Sequence, residues 1–401
     1  MSVPVATKDV VDMGLLRLLL AAAVVAEHST SFFGVTLTGG HLAVRLFFII
    51  SGFYMALILT TKYTADHPNR FWLFISNRFL RIYPCYYVVL LLSLAFYAAA
   101  TFYLHHPADR LVLWQTAWRH GQIWGLFFVS LSQLTVVGMD AVCVFMYNVA
   151  HGIHLPGPDT TAASVSWLPT AGADPSGTVP AWRFLFIPQS WSISIELLFY
   201  LVVPWLISWR TRNLVILAGL SLASYGANCL FVYPALAALL GYFFFPFHLF
   251  LLILGMLACR HSADFLAHVS QPFKIAMVAA LTVGLACSQF VPEVPRSFVC
   301  VVLVVLSLPI LFDWTKKSRF QKWVGDLSYP VYICHILVKW GLLGLMGVSK
   351  KGVTSPPGWL LLLGAIALAA SLLWLIDYPI DRWRQRRVKK FQHQPKLAAE
   401  T

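Results

Sequence analysis

The chain has 401 residues, of which 59% are hydrophobic and 11% are charged, and its mean hydropathy is +0.73. Soluble domains contain about 45–50% apolar and about 25% charged residues, so this composition excludes a cytosolic enzyme and a disordered chain. The 29 Lys and Arg against 16 Asp and Glu give a net charge of +13. In a membrane protein such an excess collects in cytoplasmic loops, so we expect no nucleic-acid partner.

Apolar runs that approach the length of a membrane span recur along the whole chain. A helix needs about 20 residues to cross the hydrocarbon core. Eleven runs qualify, at residues 13–33, 42–60, 82–104, 122–149, 190–209, 213–232, 243–259, 275–292, 297–313, 327–347 and 357–377. Strands of a membrane barrel would alternate polar and apolar residues, and these runs do not. The sequence therefore predicts an all-α, polytopic membrane helical bundle.

Basic loop residues predict the orientation, because Lys and Arg resist translocation. With the N-terminus in the cytoplasm, the basic clusters after the second run, before the tenth and in the tail all lie inside. Arg210 and Arg212 lie inside as well only if the run 122–149 makes no net crossing. That run contains Asp140, so we expect a re-entrant or doubled-back segment. Ten net crossings then remain, and both termini are cytoplasmic.

The expected organisation is one membrane domain at 1–385, with a long external loop at about 150–189, followed by a basic cytoplasmic tail at 386–401. The tail is suited to contact with anionic membrane lipid. Metal binding is not expected, because the 13 His are scattered without ligand spacing.

Ionisable residues within apolar runs are costly and mark functional sites. Here they are Arg17, Glu27, His28, Arg45, Asp140, Glu196, His248, His335 and Lys339. Arg17 and His28 are separated by about three helical turns plus about 20°, and so share one helix face with a rise of about 16 Å. His28, Arg45 and Glu196 lie at similar depths in the outer half, where a carboxylate orients an imidazole as a general base. A purely structural polar network between helices is the alternative.

Arg78 and Arg81 lie one helical turn apart at the start of the third run, and Pro84 follows them. Two guanidinium groups in this arrangement clamp phosphates with forked hydrogen bonds, which suits a nucleotide-bearing donor. Positive-inside anchoring explains the same spacing.

Five ordered motifs, spread over about residues 13 to 385, resemble the membrane acyltransferase 3 family. Arg17 through His28 matches an Arg-x10-His element. The others are "LFFIISGF" at Leu46–Phe53, "NRFLRIYP" with Arg78, Arg81 and Pro84, "SWSISIELLFY" at Ser190–Tyr200, and "GDLSYPVYICH" at Gly325–His335. Members are bacterial multi-span enzymes that O-acylate surface glycans and some small molecules with acyl-CoA.

The resemblance implies a donor site for acetyl-CoA or another short acyl-CoA on the cytoplasmic side of the bacterial inner membrane. Arg78 and Arg81 would hold the CoA head, and Arg17 would line the path of the pantetheine arm. His28 would activate the acceptor hydroxyl or carry the acyl group, and Glu196 would orient it. The remaining expected substrate contacts are Glu27, Arg45, Ser51, Trp191, Ser192, Tyr329 and His335. The acceptor would be a glycan or a small hydroxyl compound.

Two departures from the family pattern stand out. The second-span motif usually has an acidic residue just before "LFF", where this chain has Arg45, and Glu27 precedes His28 where many relatives are uncharged. Some relatives also carry a C-terminal hydrolase-like domain, which this sequence lacks, so we expect it to act alone or with a separate periplasmic transferase.

A secondary transporter is the alternative from another class, because intramembrane His, Glu and Arg also form substrate or proton relays. Repeated halves and Gly/Pro-broken central helices are typical of transporters, and neither is clear here.

The two departures predict a charge exchange in which Glu27 and Arg45 pair across the first two spans. We expect Arg45→Ala to reduce transfer activity more than the Glu27→Ala, Arg45→Ala double substitution does, because the single change leaves one charge unbalanced. A double-mutant cycle on activity measures this, and additive losses would refute the pairing.

Overall fold

The structure is a computed structural model that describes residues 13–30, 32, 34–35, 37–63, 70–102, 109–160, 177–346 and 355–392. Two predicted features lie partly outside the described residues, namely the external loop at 161–176 and the basic tail at 393–401. Within the described residues helices dominate, and one small antiparallel sheet accompanies them.

The helices are α1 (Gly14–Glu27), α2 (Gly40–Thr61), α3 (Arg70–Phe102), α4 (Asp109–Arg119), α5 (Ile123–Thr135), α6 (Met139–Val142), α7 (Trp191–Leu206), α8 (Thr211–Phe231), α9 (Pro234–Phe243), α10 (Phe245–Arg260), α11 (Ser262–His268), α12 (Gln271–Cys287), α13 (Glu293–Thr315), α14 (Arg319–Leu345), α15 (Gly358–Leu372) and α16 (Tyr378–Gln392). The strands are β1 (Met146–Asn148), β2 (Gly152–His154) and β3 (Val179–Pro180), in the order β2-β1-β3. A π-helical turn, Leu373–Asp377, joins α15 to α16.

Seven helical stretches in the described part of the chain are long and apolar enough to cross a membrane. They are Gly40–Thr61, Arg70–Phe102, Thr211–Phe231, Pro234–Arg260, Gln271–Phe290, Glu293–Thr315 and Gly358–Val388. Each overlaps a predicted run, which confirms the all-α polytopic class. The count of ten crossings stays a prediction.

Helix α1 is shorter than the predicted run 13–33. It ends at Glu27 after 14 residues, which at 1.5 Å per residue cover about 21 Å of a core about 30 Å thick. The amides of His28 and Ser29 bond to carbonyls three residues back, and the Ser29 hydroxyl donates to Ala26 O. Such local bonds from short polar side chains compete with helix continuation. His28 therefore lies at the end of α1 rather than inside it.

The run 122–149 does not form one straight helix. After the 13 residues of α5, Val136 and Gly138 adopt φ of 61° and 90°, and the chain turns into α6. The Ser194 hydroxyl donates to the buried carboxylate of Asp140 at 2.6 Å, and the Ser194 Oγ in turn accepts the Gly138 amide at 2.9 Å. These bonds satisfy the buried polar groups of the turn. The turn between α5 and α6 is consistent with a re-entrant or doubled-back segment. That the run makes no net crossing stays a prediction.

The described residues divide into two compact units. The first draws on Met1–Tyr87, Tyr200–Leu214 and Leu251–Thr401, and the second on Val88–Phe199 and Val215–Phe250. Within the first unit, α1 packs against α2, α14 and α15, α14 packs against α15, and α12 packs against α13.

The second unit contains the sheet. Strands β2 and β3 lie in the described parts of the predicted external loop, and β1 directly precedes that loop. The indole of Trp114 on α4 donates to Phe184 O at 3.0 Å, and the ring of Tyr147 on β1 lies 4.9 Å from the Phe184 ring. These contacts attach the loop to the helices of its own unit.

Two glycines bring α2 and α10 to backbone distance in the first unit. A methyl group at Gly52 would lie 1.9 Å from the carbonyl oxygen of Leu252, and one at Gly255 would lie 1.9 Å from that of Ile49. No side chain fits at either position, so this part of the second-span motif serves helix packing.

We expect Gly255→Ala to lower the thermal unfolding temperature of the detergent-purified protein, because the added methyl forces α2 and α10 apart. The matched control is Gly341→Ala in α14, where a methyl meets nothing within 4 Å. Alanine favours a helix over glycine by about 1 kcal/mol, so the control should unfold at the same or a higher temperature. Equal behaviour of the two variants would contradict the close packing.

Candidate functional site

Two histidines from different helices face each other in the first unit. His28 caps the C-terminal end of α1 and is half-buried, and His335 lies in α14 with 0% exposure. Their ring centroids are 5.2 Å apart, and the ring planes are inclined by 33°. The packing of α1 against α14 brings together residues that the sequence places in separate motifs.

The hydrogen bonding of His335 assigns its tautomer. Its Nδ1 lies 2.6 Å from the carbonyl oxygen of Tyr332. Because a carbonyl only accepts, Nδ1 carries the hydrogen and Nε2 carries the lone pair of the neutral ring. Nε2 is buried and has no hydrogen-bond partner among the residues that the structure describes. The ring therefore offers an open acceptor nitrogen.

Lys339 follows His335 by one helical turn and is also buried, with 6% exposure. Its Nζ lies 3.4 Å from Ser355 Oγ and 6.0 Å from the ring centroid of Trp340. The ammonium charge acts on both imidazoles. The sequence marks Lys339 as an ionisable residue in an apolar run but gives it no role, because its proximity to His28 depends on tertiary packing.

Glu27 connects the end of α1 to the start of α2. Its Oε2 accepts the backbone N–H of Gly40 at 3.3 Å, at a helix start that has no side-chain cap of its own. A carboxylate at a helix N-terminus is stabilising. The charges of Glu27 and Arg45 both act on His41. Direct pairing of Glu27 with Arg45 stays a prediction.

Arg17 lies on α1, toward the opposite end of that helix from His28. Its guanidinium carbon is 5.8 Å from the ring centroid of Tyr54 on α2, the helix on which Ser51 is buried. On α14, the charge of Asp326 acts on Arg17, and a methyl at Gly325 would lie 3.4 Å from the guanidinium. Arg17 therefore lies where α1, α2 and α14 meet.

Arg78 and Arg81 have different surroundings. Arg78 is 9% exposed, lies 6.0 Å from the Phe74 ring centroid, and has a buried Nε without a hydrogen-bond partner among the described residues. Arg81 experiences the charges of three carboxylates, from Asp326, Asp377 and Asp381. The two predicted arginines therefore differ. Arg78 has a buried N–H group that donates to none of the described residues, whereas Arg81 is surrounded by negative charge.

Arg384 on α16 completes this cluster of charges. It is 8% exposed, forms an ion pair with Asp381, and donates from Nη1 to Asn77 O at 3.4 Å. Sequence reasoning missed Asp377, Asp381 and Arg384 as members of the site. The i,i+4 spacing of the two aspartates and the i,i+3 spacing to Arg384 are the local signal, but only the fold places them beside α3.

Tyr329, expected as a substrate contact, links α14 to α3. Its hydroxyl donates to the carbonyl oxygen of Ile82 at 2.8 Å, one residue after Arg81. This bond connects the arginine-containing segment of α3 to the helix that carries His335.

The predicted residues of α7, which are Trp191, Ser192 and Glu196, belong to the second unit. The Trp191 ring lies 4.7 Å from that of Tyr242 and 6.2 Å from that of His248, and Ser192 Oγ donates to Gln189 O at 3.3 Å. Glu196 is half-buried further along α7. Its predicted meeting with His28 and Arg45 stays a prediction.

The first unit therefore offers an imidazole pair at one end of α1 and a mixed cluster of arginines and aspartates near α3. The first suits proton transfer and the second suits a phosphate-bearing ligand. Within the described residues, no group of three or more His, Cys, Asp or Glu is placed to hold a metal ion.

Comparison with known proteins gives one match. A family model described as an acyltransferase domain matches residues 10–376 of the chain. No curated protein and no solved structure matches it.

The charge cluster predicts that Arg384→Met destabilises the protein by about 1.5–3 kcal/mol, the value of a hydrogen bond to a charged group. The loss should appear as a lower thermal unfolding temperature in detergent. Arg382→Met is the matched control, because Arg382 lies two residues away on the same helix and is exposed. If both variants unfold like the wild type, the cluster does not stabilise the fold.

Proposed function

Because this chain belongs to the acyltransferase 3 family, we propose that it moves an acetyl or similar short acyl group from acyl-CoA to a hydroxyl of an extracytoplasmic acceptor. A surface polysaccharide or glycolipid is the acceptor class we favour. The pairing of half-buried His28 with fully buried His335 is the observation that carries the proposal.

His28 has the exposure and the neighbours of a general base. It lies at the C-terminal end of α1, is half-buried, and faces His335 on one side. Imidazole is the side chain whose ordinary pKa lies nearest neutral pH, which suits it to accept and return a proton during a reaction.

The reaction balances with one proton moved. The acceptor hydroxyl oxygen attacks the thioester carbonyl carbon, the C–S bond breaks, and an oxygen ester forms. His28 takes the hydroxyl proton and delivers it to the departing thiolate, so that free CoA thiol leaves. Glu196 is proposed to stabilise the protonated imidazole.

On the donor side, the cluster at α3 is proposed to bind the phosphates of CoA. Two observations support this role. The buried Nε of Arg78 lacks a partner among the described residues, and the aspartates around Arg81 offset part of the repulsion between the guanidinium groups. Arg17, between this cluster and His28 along α1, is proposed to line the pantetheine path.

The remaining assignments rest on the family and on charge distribution. We propose a multi-pass location in the bacterial cytoplasmic membrane, with both termini inside. Glu27, Arg45, Ser51, Trp191 and Ser192 are proposed acceptor contacts. A separate periplasmic transferase is a proposed partner, and no metal is needed.

The decisive measurement is transfer of labelled acetyl from acetyl-CoA in membranes of the expressing host. We expect His28→Ala to lower kcat by about 100-fold or more, the typical contribution of a general base. Arg78→Ala should chiefly raise the KM for acetyl-CoA, because it removes a phosphate contact. Exposed Arg382→Ala is the matched control and should leave both constants unchanged.

Label in a glycan or small product that vanishes with His28→Ala supports the proposal and identifies the acceptor class. Label unchanged by both substitutions, in protein shown to be folded, sinks it and makes the transporter the leading explanation.

A further inference from the structure

The Nε2 atom of His335 is a buried hydrogen-bond acceptor to which none of the described residues donates. Its Nδ1 is used by Tyr332 O, and its Nε2 lone pair is fully buried without a partner among the described residues. Buried acceptors are rarely left open, and where they are, a ligand or a functional movement is the usual reason.

The His28 ring is positioned to supply that donor. A centroid separation of 5.2 Å lets the edges of two imidazoles approach hydrogen-bonding distance after a small ring rotation. The Tyr332 ring, at 6.0 Å, lies on the same helix as His335 and already provides the carbonyl for Nδ1.

Lys339 is the alternative donor. It lies at i+4 from His335 on α14, but its Nζ reaches toward Ser355 Oγ at 3.4 Å. A test must therefore separate a bond from His28 from one supplied by the ammonium.

We propose that His335 is a positioning residue whose Nε2 accepts the ring N–H of His28. This inference rests on the proposed function and deepens it. With one nitrogen of His28 committed to His335, the other presents its lone pair to the acceptor hydroxyl. The arrangement fulfils the orienting role that a carboxylate has in a catalytic triad, where the wrong tautomer abolishes most of the rate.

A neutral orienting group suits this position. His335 has 0% exposure in the middle of an apolar helix, where an unpaired carboxylate would be costly. An imidazole whose tautomer is fixed by Tyr332 O gives the same directional acceptor without a buried charge.

Two amide substitutions separate the two nitrogens of His335. In His335→Asn, the side-chain amide takes the place of Nδ1 and keeps the bond to Tyr332 O, but nothing replaces Nε2. In His335→Gln, the amide oxygen takes the place of Nε2 and accepts from His28. Neither oxygen takes up a proton at neutral pH, so recovery by Gln reports orientation rather than proton storage.

The assay is acetyl transfer from acetyl-CoA by the full-length protein in membranes. We expect His335→Asn to lower kcat by about 10- to 1,000-fold with the KM for acetyl-CoA within about twofold, and His335→Gln to recover most of kcat. Lys339→Met should retain more activity than His335→Asn. Equal losses in Asn and Gln, a wild-type rate in Asn, or a larger loss in Lys339→Met would overturn the assignment.

A second readout does not depend on activity. Nitrogen-15 NMR of the histidine-labelled wild type, with the His28 signal assigned from a His28→Asn sample, reports which ring nitrogen carries the hydrogen. One tautomer supports the assignment, and a mixture refutes it. No transfer by the wild type would instead defeat the proposed function, so the two failures are distinguishable.

Discussion

The packing of α1 along α14 is the contact on which the arrangement of the first unit depends. A methyl at Gly14 would lie 1.8 Å from the carbonyl oxygen of Gln321, so the two backbones touch. The Leu15 amide, left open at the start of α1, donates to Gln321 Oε1 at 2.8 Å. At the other end of α1, His28 meets His335. One helix thus fixes the start of α1 and supplies the partner of its last side chain.

The helices and the paired motif residues can be predicted from local sequence, but the contacts between distant helices cannot. The apolar runs predict most helices because burial in lipid depends on composition over about 20 residues. Arg17, His28, Arg78 and Arg81 were recognised because each pair lies within one motif. By contrast, the counter-charges of Arg81 come from α14 and α16, more than two hundred residues later, so no local pattern joins them. Such pairings are determined by tertiary packing alone.

The ends of the helices also depend partly on local sequence and partly on tertiary contacts. Hydropathy extends the first run beyond α1, because Phe32 and Phe33 are as apolar as helix residues. The helix nevertheless ends at Glu27, where polar side chains bond locally and the carboxylate turns to the start of α2. Likewise, Asp140 looks like a buried charge in a span, and its satisfaction by Ser194 becomes visible only when the run is seen to turn. An ionisable residue within an apolar run can therefore have a structural role, as Asp140 has here.

Helix α16 lies beyond the stretch that matches the family, which ends at residue 376. Asp377 and Asp381, whose charges act on Arg81, begin just after that boundary. Arg387 also donates to Ser76 Oγ at 3.1 Å, so the end of the chain supports the beginning of α3. A domain cut at residue 376 would keep Arg81 and Asp326 but would lose two of the three carboxylates whose charges act on that arginine. The charge balance around Arg81 therefore extends past the boundary that family likeness draws.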